Sequence, residues 1–264
     1  LAVNVGGVHV VCPNLIEARL WRAAIFVSCR AGTERRGGML GRRGMVAGLG
    51  LLAAARTARA AGLQDWTDAL QLTMRFSRAG IPVDSYRSAS TSMMPTLAPD
   101  DVVLADLRSA RTLPARGDMV NFHPQGLDQV WLRRVIGLPG ERVAVRDGQI
   151  FLGGTAVQRQ FDRKLKYRMD GVPMSGAVQI ETLPGRAHYE TLLTSDGTVG
   201  RDVPETTVPP DRLFLMGDNR DNAMDSRFPS MRPVPVANVR GRIVYRLRPN
   251  AGWLVDAASV SGLG

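Results

Sequence analysis

The chain has 264 residues, 44% of them hydrophobic and 22% charged, with a formal net charge of +10. These proportions belong to globular proteins and exclude both disorder throughout and a polytopic membrane protein. Residues 1–61 hold nine Arg against Glu17 and Glu34, or +7 of the +10, so the rest carries only +3, which argues against a nucleic-acid binder.

Other counts narrow the chemistry. The cations are 32 Arg and two Lys, Lys164 and Lys166. Cys12 and Cys29 are the only cysteines, so a thiol nucleophile or Cys-based zinc site is excluded after position 29. His9, His123 and His188 are scattered without metal-ligand spacing. With 6% aromatics, the core must rest on Val, Leu, Ile and Met.

Taken in chain order, the first feature is Met45–Ala55, an eleven-residue apolar run rich in Gly and Ala. Arg42-Arg43 precede it and Ala58-Arg59-Ala60 follow, giving the charged start, apolar run and A-x-A site of an export signal. The paired Arg suggests the twin-arginine route. The run is too short for an ordinary membrane-spanning helix. Because this signal begins near Met39, residues 1–38 read as an over-extended or disordered N-terminus, with the true start at Met39 or Met45. Residues 39–61 form the signal or membrane tether. Residues 62–82 are a short amphipathic helix and linker, in which Trp66, Leu70 and Met74 make an i, i+4, i+8 stripe.

From about 83 the pattern changes to short apolar runs divided by turns. Asp101–Ala105, Asp118–Phe122, Val130–Ile136, Val143–Val145, Gln149–Leu152, Leu213–Met216 and Gly241–Leu247 read as strands. RDGQI at 146–150 is a hairpin signal, with Asp-Gly between two strands. Gly185–Thr207 is the most polar, loop-like region, and FDRKLKYRMD at 161–170 reads as a solvated, charged stretch. The expected fold is mainly β, with a catalytic domain over 83–250 and a tail over 251–264.

Four segments carry the chemistry. They are Ser90-Thr91-Ser92-Met93-Met94-Pro95-Thr96, Arg116-Gly117-Asp118-Met119-Val120, Trp131-Leu132-Arg133-Arg134-Val135-Ile136-Gly137-Leu138-Pro139-Gly140-Glu141, and Met216-Gly217-Asp218-Asn219-Arg220-Asp221-Asn222-Ala223-Met224-Asp225-Ser226-Arg227. Singly, each is an ordinary turn or strand end. A loop as polar as the fourth, straight after the apolar run LFLM, can also build a site.

Together and in this order, the four segments resemble the bacterial type I signal peptidases, over about Ser90 to Tyr245. The resemblance implies a membrane-associated serine endopeptidase that removes signal peptides from exported proteins. It implies an antiparallel β-sheet catalytic core with a short inserted β-region, here about 145–210, and short N-terminal helices. Carried over residue by residue, Ser92 is the nucleophile. The Ser92 N–H and the Ser90 hydroxyl form the oxyanion hole. Asp218, Asn219, Arg220, Asp225, Ser226 and Arg227 support the site. Met93, Pro95, Gln129, Trp131 and Leu132 border the substrate, which adds as a β-strand with small residues at the cut. The implied partners are exported precursors and a membrane surface, with no nucleic acid. The implied place is the outer, periplasmic face of the inner membrane, and no metal or other cofactor is implied.

The chain departs from that pattern at the general base. The family's neutral Lys falls at Arg133, and the Ser that holds its amine falls at Ala223. Burial can strip a proton from Lys, whereas a guanidinium keeps its own. Several readings follow: a disarmed homologue that binds precursors without cleaving; a substitute base at His123, His188 or Asp225; a reach from Lys164 or Lys166; or Arg133 as a fixed cation at the oxyanion or a substrate carbonyl.

Overall fold

The computed structural model describes residues 2–5, 8–11, 63–108, 112–169, 171–185, 188–194 and 200–260. The export-like run, Cys12 and Cys29 lie outside them. The chain divides into two compact units. One takes residues up to Tyr86, Val102–Leu104 and those from Tyr245 onward; the other takes Arg87–Asp101 and Ala105–Val244.

In chain order the elements are β1 (Ala2–Val5), β2 (Val8–Val11), α1 (Leu63–Arg78), β3 (Val83–Arg87), β4 (Val102–Asp106), β5 (Met119–Phe122), β6 (Trp131–Gly137) and β7 (Arg142–Arg146). Then come β8 (Gln149–Leu152), β9 (Thr155–Ala156), β10 (Gln158–Met169), β11 (Val172–Thr182), β12 (Tyr189–Thr194), β13 (Val203–Thr207), β14 (Arg212–Met216), β15 (Val234–Pro235), β16 (Val239–Arg248) and β17 (Gly252–Trp253). The mainly-β expectation holds, and of the short N-terminal helices expected, the described residues contain α1.

In the first unit, β1 and β2 form an antiparallel hairpin. Helix α1 buries Ala69, Leu72 and Phe76, while Leu70 and Met74 are half-buried. The most buried set is therefore i, i+3, i+7, and Leu70 and Met74 of the expected stripe lie beside it, a rotation of the same amphipathic pattern. The helix ends where Gly80 takes a φ of 66°, a conformation open to glycine. Tyr245 and Trp253 pair across β16 and β17 with their rings edge to face, 5.2 Å apart.

The second unit holds all four motif segments. Its central sheet runs β16–β5–β6–β14–β15, with every pairing antiparallel. Successive side chains on a strand leave opposite faces. In β14, Leu213 and Leu215 enter one core with Val120, Phe122 and Val135, and Phe214 and Met216 enter another with Ile136, Val143 and Ile150. Burial on both faces is why LFLM is apolar without alternation.

The insert between β6 and β14 makes two more sheets, β13–β7–β8–β9 and β10–β11–β12. The predicted Asp-Gly hairpin is present: Arg146 pairs with Gln149, and Asp147 and Gly148 take φ of 48° and 72°, the two positive values a type I′ turn needs. Two readings of this region are corrected. Residues 161–170 are not a simple solvated stretch, because most of them form β10. Beyond a bulge at Phe161/Arg163, Leu165 and Tyr167 pack on Met94, Val178 and Leu192 while Lys164, Lys166 and Arg168 stay exposed. Gly185–Thr207 likewise contains β12 and β13.

Candidate active site

Ser92 sits in a 3-10 turn over Thr91–Met93 and is 8% exposed. Its main chain is clamped by the fourth segment: Asn219 N–H donates to Ser92 O at 3.0 Å, and Asn219 Nδ2 donates to Thr91 O at 3.1 Å. Asn222 Nδ2 donates to Thr91 Oγ1. Gly217 faces the same carbonyl. A Cβ there would lie 2.7 Å from Ser92 O and 2.2 Å from Ala223 Cβ, so only hydrogen fits. We predict that Gly217→Ala lowers stability by about 3 kcal/mol, the scale of overpacking in a close-packed interior, readable as a fall in melting temperature.

The Ser92 hydroxyl has two hydrogen-bond partners. Ser90 Oγ lies 3.0 Å away, and Arg133 Nη1 donates to Ser92 Oγ at 2.9 Å. The Ser92 N–H also points to Ser90 Oγ, at 3.4 Å. Ser90 is exposed, so this corner opens to solvent.

Arg133 and Arg134 are neighbours on β6 and leave its opposite faces. Arg133 is 6% exposed. Besides Ser92 it donates from Nε and Nη2 to Met224 O, at 3.0 and 2.7 Å, and from Nη1 to Leu132 O at 2.6 Å. Its guanidinium lies 5.1 Å from the Trp131 ring centre. Burial pushes its pKa down from the usual guanidinium range to about 10; Asp225 opposes that shift and Arg227 adds to it. At neutral pH Arg133 therefore keeps its proton and meets Ser92 as a donor.

Around this corner lie three buried ion pairs. Arg134 Nε and Nη2 grip Asp218 at 2.8 and 2.6 Å, and Thr96 Oγ1 donates to the same carboxylate at 2.5 Å. Burial lowers the proton affinity of Arg134, but the Asp218 charge outweighs it and the net shift is upward. Arg220 holds Glu181 of β11 through two bonds of 2.6 Å. Tyr189 OH donates to Glu181 at 2.8 Å, and its ring lies 4.2 Å from the Arg134 guanidinium. Burial and then the Glu181 charge push the Tyr189 phenol well up, so it stays a donor. Arg227 binds Asp225 twice at 2.8 Å, and Gly217 N–H donates to Asp225 Oδ2 at 2.9 Å. Ser226 Oγ accepts from Leu215 N–H and donates to Arg232 O. The fourth segment is thus largely buried, unlike an ordinary polar turn.

The second and third segments brace one another. Arg116 pairs with Glu141 and donates to Ile136 O, while Glu141 accepts from Leu138 N–H. Gly137 has no room for a side chain, since a Cβ would meet Val143 Cγ2 at 2.6 Å. This bracing, and the Glu181–Tyr189 arm from the insert, were not found by sequence reasoning. The Arg116 and Glu141 charges bounding segments two and three were the available signal for the first; the second had none.

The remaining expected residues are placed as follows. Met93 is buried and Pro95 half-buried, Leu132 is buried, Trp131 is half-buried and Gln129 is exposed. Trp131, Leu132 and Arg133 pair with β5 on one edge, while β14 pairs only from Arg134 onward. Of the alternative bases, His123 exchanges backbone and side-chain bonds with Asn238, His188 is exposed, Lys164 and Lys166 lie on the exposed face of β10, and Asp225 is committed to Arg227 and Gly217. None of them bonds the Ser92 hydroxyl. No group of acidic, His or Cys side chains that could hold a metal occurs among the described residues.

Comparison with known proteins identifies the family. The family model described as signal peptidase, peptidase S26, matches residues 69–248. A signal peptidase I from Bacillus caldolyticus is 30% identical over 166 residues, covering 62% of this chain and 79% of that protein. One from Leptolyngbya laminosa is 31% identical over 169 residues, covering 61% and 66%. A solved signal peptidase I from Enterococcus faecalis is 24% identical at a TM-score of 0.28, covering 49% of this chain and 95% of that one. With a family match across well over half its length, this chain is a member of the S26 signal peptidase family.

Proposed function

We propose that the chain engages the signal peptides of exported precursor proteins at Ser92 and cuts them there as a serine endopeptidase. The observation that carries this reading is the meeting of Ser92 Oγ, Ser90 Oγ and Arg133 Nη1 within hydrogen-bond distance. The substrate strand adds at Trp131–Arg133, where the side of β6 away from β5 meets no described strand. Ser92 Oγ adds to the carbonyl carbon after a small residue. Ser92 N–H and the Ser90 hydroxyl hold the oxyanion. The amine leaves with a proton taken from water, and a second water hydrolyses the Ser92 ester, returning the free acid and the Ser92 hydroxyl. The Ser92 proton passes to solvent hydroxide, because Arg133 already holds one. Asp218, Asn219, Arg220, Asp225, Ser226 and Arg227 act by fixing the main chain around Ser92.

The family suggests a membrane-associated place with the site on its outer face, and the export-like pattern of 39–61 suits a signal or tether. No helix of the described residues is long and apolar enough to cross a membrane. A second reading has its own observation: Arg133 donates to Ser92 Oγ and cannot accept from it, which suits a binder that does not cleave. The test uses the full chain in detergent with a precursor carrying an Ala-x-Ala site. Slow cleavage that Ser92→Ala abolishes supports the endopeptidase. Binding of the precursor without any cleavage supports the disarmed reading.

A further inference from the structure

The charges around Ser92 do not balance. Four buried arginines, Arg133, Arg134, Arg220 and Arg227, face three buried carboxylates, Asp218, Glu181 and Asp225. Each carboxylate is already taken: Asp218 by Arg134, Glu181 by Arg220 and Asp225 by Arg227. Among the described residues, the odd cation is Arg133. All its hydrogen-bond partners are neutral oxygens: Ser92 Oγ, Leu132 O and Met224 O. A buried charge without a counter-ion is costly, and the lowered proton affinity of Arg133 records that cost. An anion beside Arg133 would relieve it.

The place such an anion would take is narrow. Arg133 Nη1 is 2.9 Å from Ser92 Oγ, the atom that would contact the carbonyl carbon of a bound peptide. Ser90 Oγ lies 3.0 Å from the same atom, and Ser92 N–H points to Ser90 Oγ. The corner is reachable, since Ser90 is exposed and Met224 is 49% exposed. A peptide that ends at this carbon, rather than continuing past it, brings a carboxylate to that place. One of its oxygens meets Arg133 and the other meets the Ser90 hydroxyl and Ser92 N–H. A peptide that continues, or is capped as an amide, brings no charge.

We infer that the Ser92 site binds a free peptide α-carboxylate, the end of a signal-peptide fragment already cut after its small residue, in preference to the same sequence uncut or amidated. This rests on the signal-peptide reading above and adds the ligand's charge state to it. The chain then retains the product of cleavage, whether it or another peptidase made the cut.

The test compares short fluorescent peptides of one signal-peptide C-region ending in Ala-x-Ala, one as the free acid and one as the amide, titrated into the full chain in detergent. A third peptide continues past the cut site, and free acetate is a competitor. The acid should bind roughly tenfold or more tighter than the amide, the scale of one charge-assisted hydrogen bond. Arg133→Gln should erase the difference. Acetate should compete only weakly, because the peptide strand is part of the ligand. Equal affinities for acid and amide in the natural chain overturn the inference while leaving the signal-peptide reading intact. They do so whether or not Arg133→Gln folds. A preference that survives in a folded Arg133→Gln, or an acetate that matches the peptide, also overturns it. If acid, amide and continuing peptide all fail to bind, the signal-peptide reading falls and the inference with it.

Discussion

Arg133→Lys combined with Ala223→Ser is expected to raise precursor cleavage near neutral pH by about 10²–10⁴-fold over the natural chain, the range general-base catalysis supplies. In the natural chain Arg133 Nη1 donates to Ser92 Oγ, so the nucleophile faces a donor where it needs an acceptor. A buried Lys can lose its proton at accessible pH, because burial penalises the ammonium. The same burial brings Arg133 down only to about 10. Arg133→Lys alone should gain less than the pair, since Ala223 offers no hydroxyl to orient the amine. A double variant no faster than the natural chain would mean that the limit lies elsewhere.

The pH profile carries the same argument with its sign. The Arg133 pKa is lowered on folding, so its protonated form dominates below about pH 10. Loss of that proton, or ionisation of Ser92 by hydroxide, both become easier as pH rises. Cleavage by the natural chain should therefore climb about tenfold per pH unit from neutral into the alkaline range without levelling off, as ionisation of Ser92 by hydroxide requires. The double variant should level off once its Lys has lost its proton. A flat profile in the natural chain across neutral pH would indicate a base already in place.

Several parts of this architecture were legible because their cause is local. The Asp147-Gly148 hairpin, helix α1 and the LFLM strand follow from turn chemistry and periodicity. β10 was misread because its period-2 signal is short. Only Leu165 and Tyr167 reach the small core under Met94, and the three cations between and beside them dominate composition. Arg133 beside Ser92 was legible only through the motif order, since no spacing in a linear chain places residues 41 apart side by side. The odd charge at Arg133 was not legible at all. It depends on which arginine takes which carboxylate, and Glu181 comes from the insert, outside every motif.

Asp218→Asn is expected to cost about 3–5 kcal/mol, the loss when one partner of a buried ion pair is removed. Asp218 has no exposed surface and accepts from Arg134 twice and from Thr96. The amide keeps the shape but loses the charge, leaving Arg134 buried opposite a neutral group. Its NH₂ would also face Arg134 N–H groups or the Thr96 hydroxyl, which donate to the carboxylate now, and a donor facing a donor makes no bond. Such a loss is a large part of the ~5–15 kcal/mol that holds a domain together, so the melting temperature should fall by about 10 °C. The effect should also reach the site. Asp218 lies between Gly217, whose Cα faces Ser92 O, and Asn219, whose N–H holds that carbonyl. Arg134→Met with Asp218→Leu removes both charges together and should recover most of the melting temperature, because a matched apolar pair leaves no orphaned charge. If Asp218→Asn melts with the natural chain, or the apolar pair melts no higher than Asp218→Asn, the ion pair is not what anchors this loop against β6.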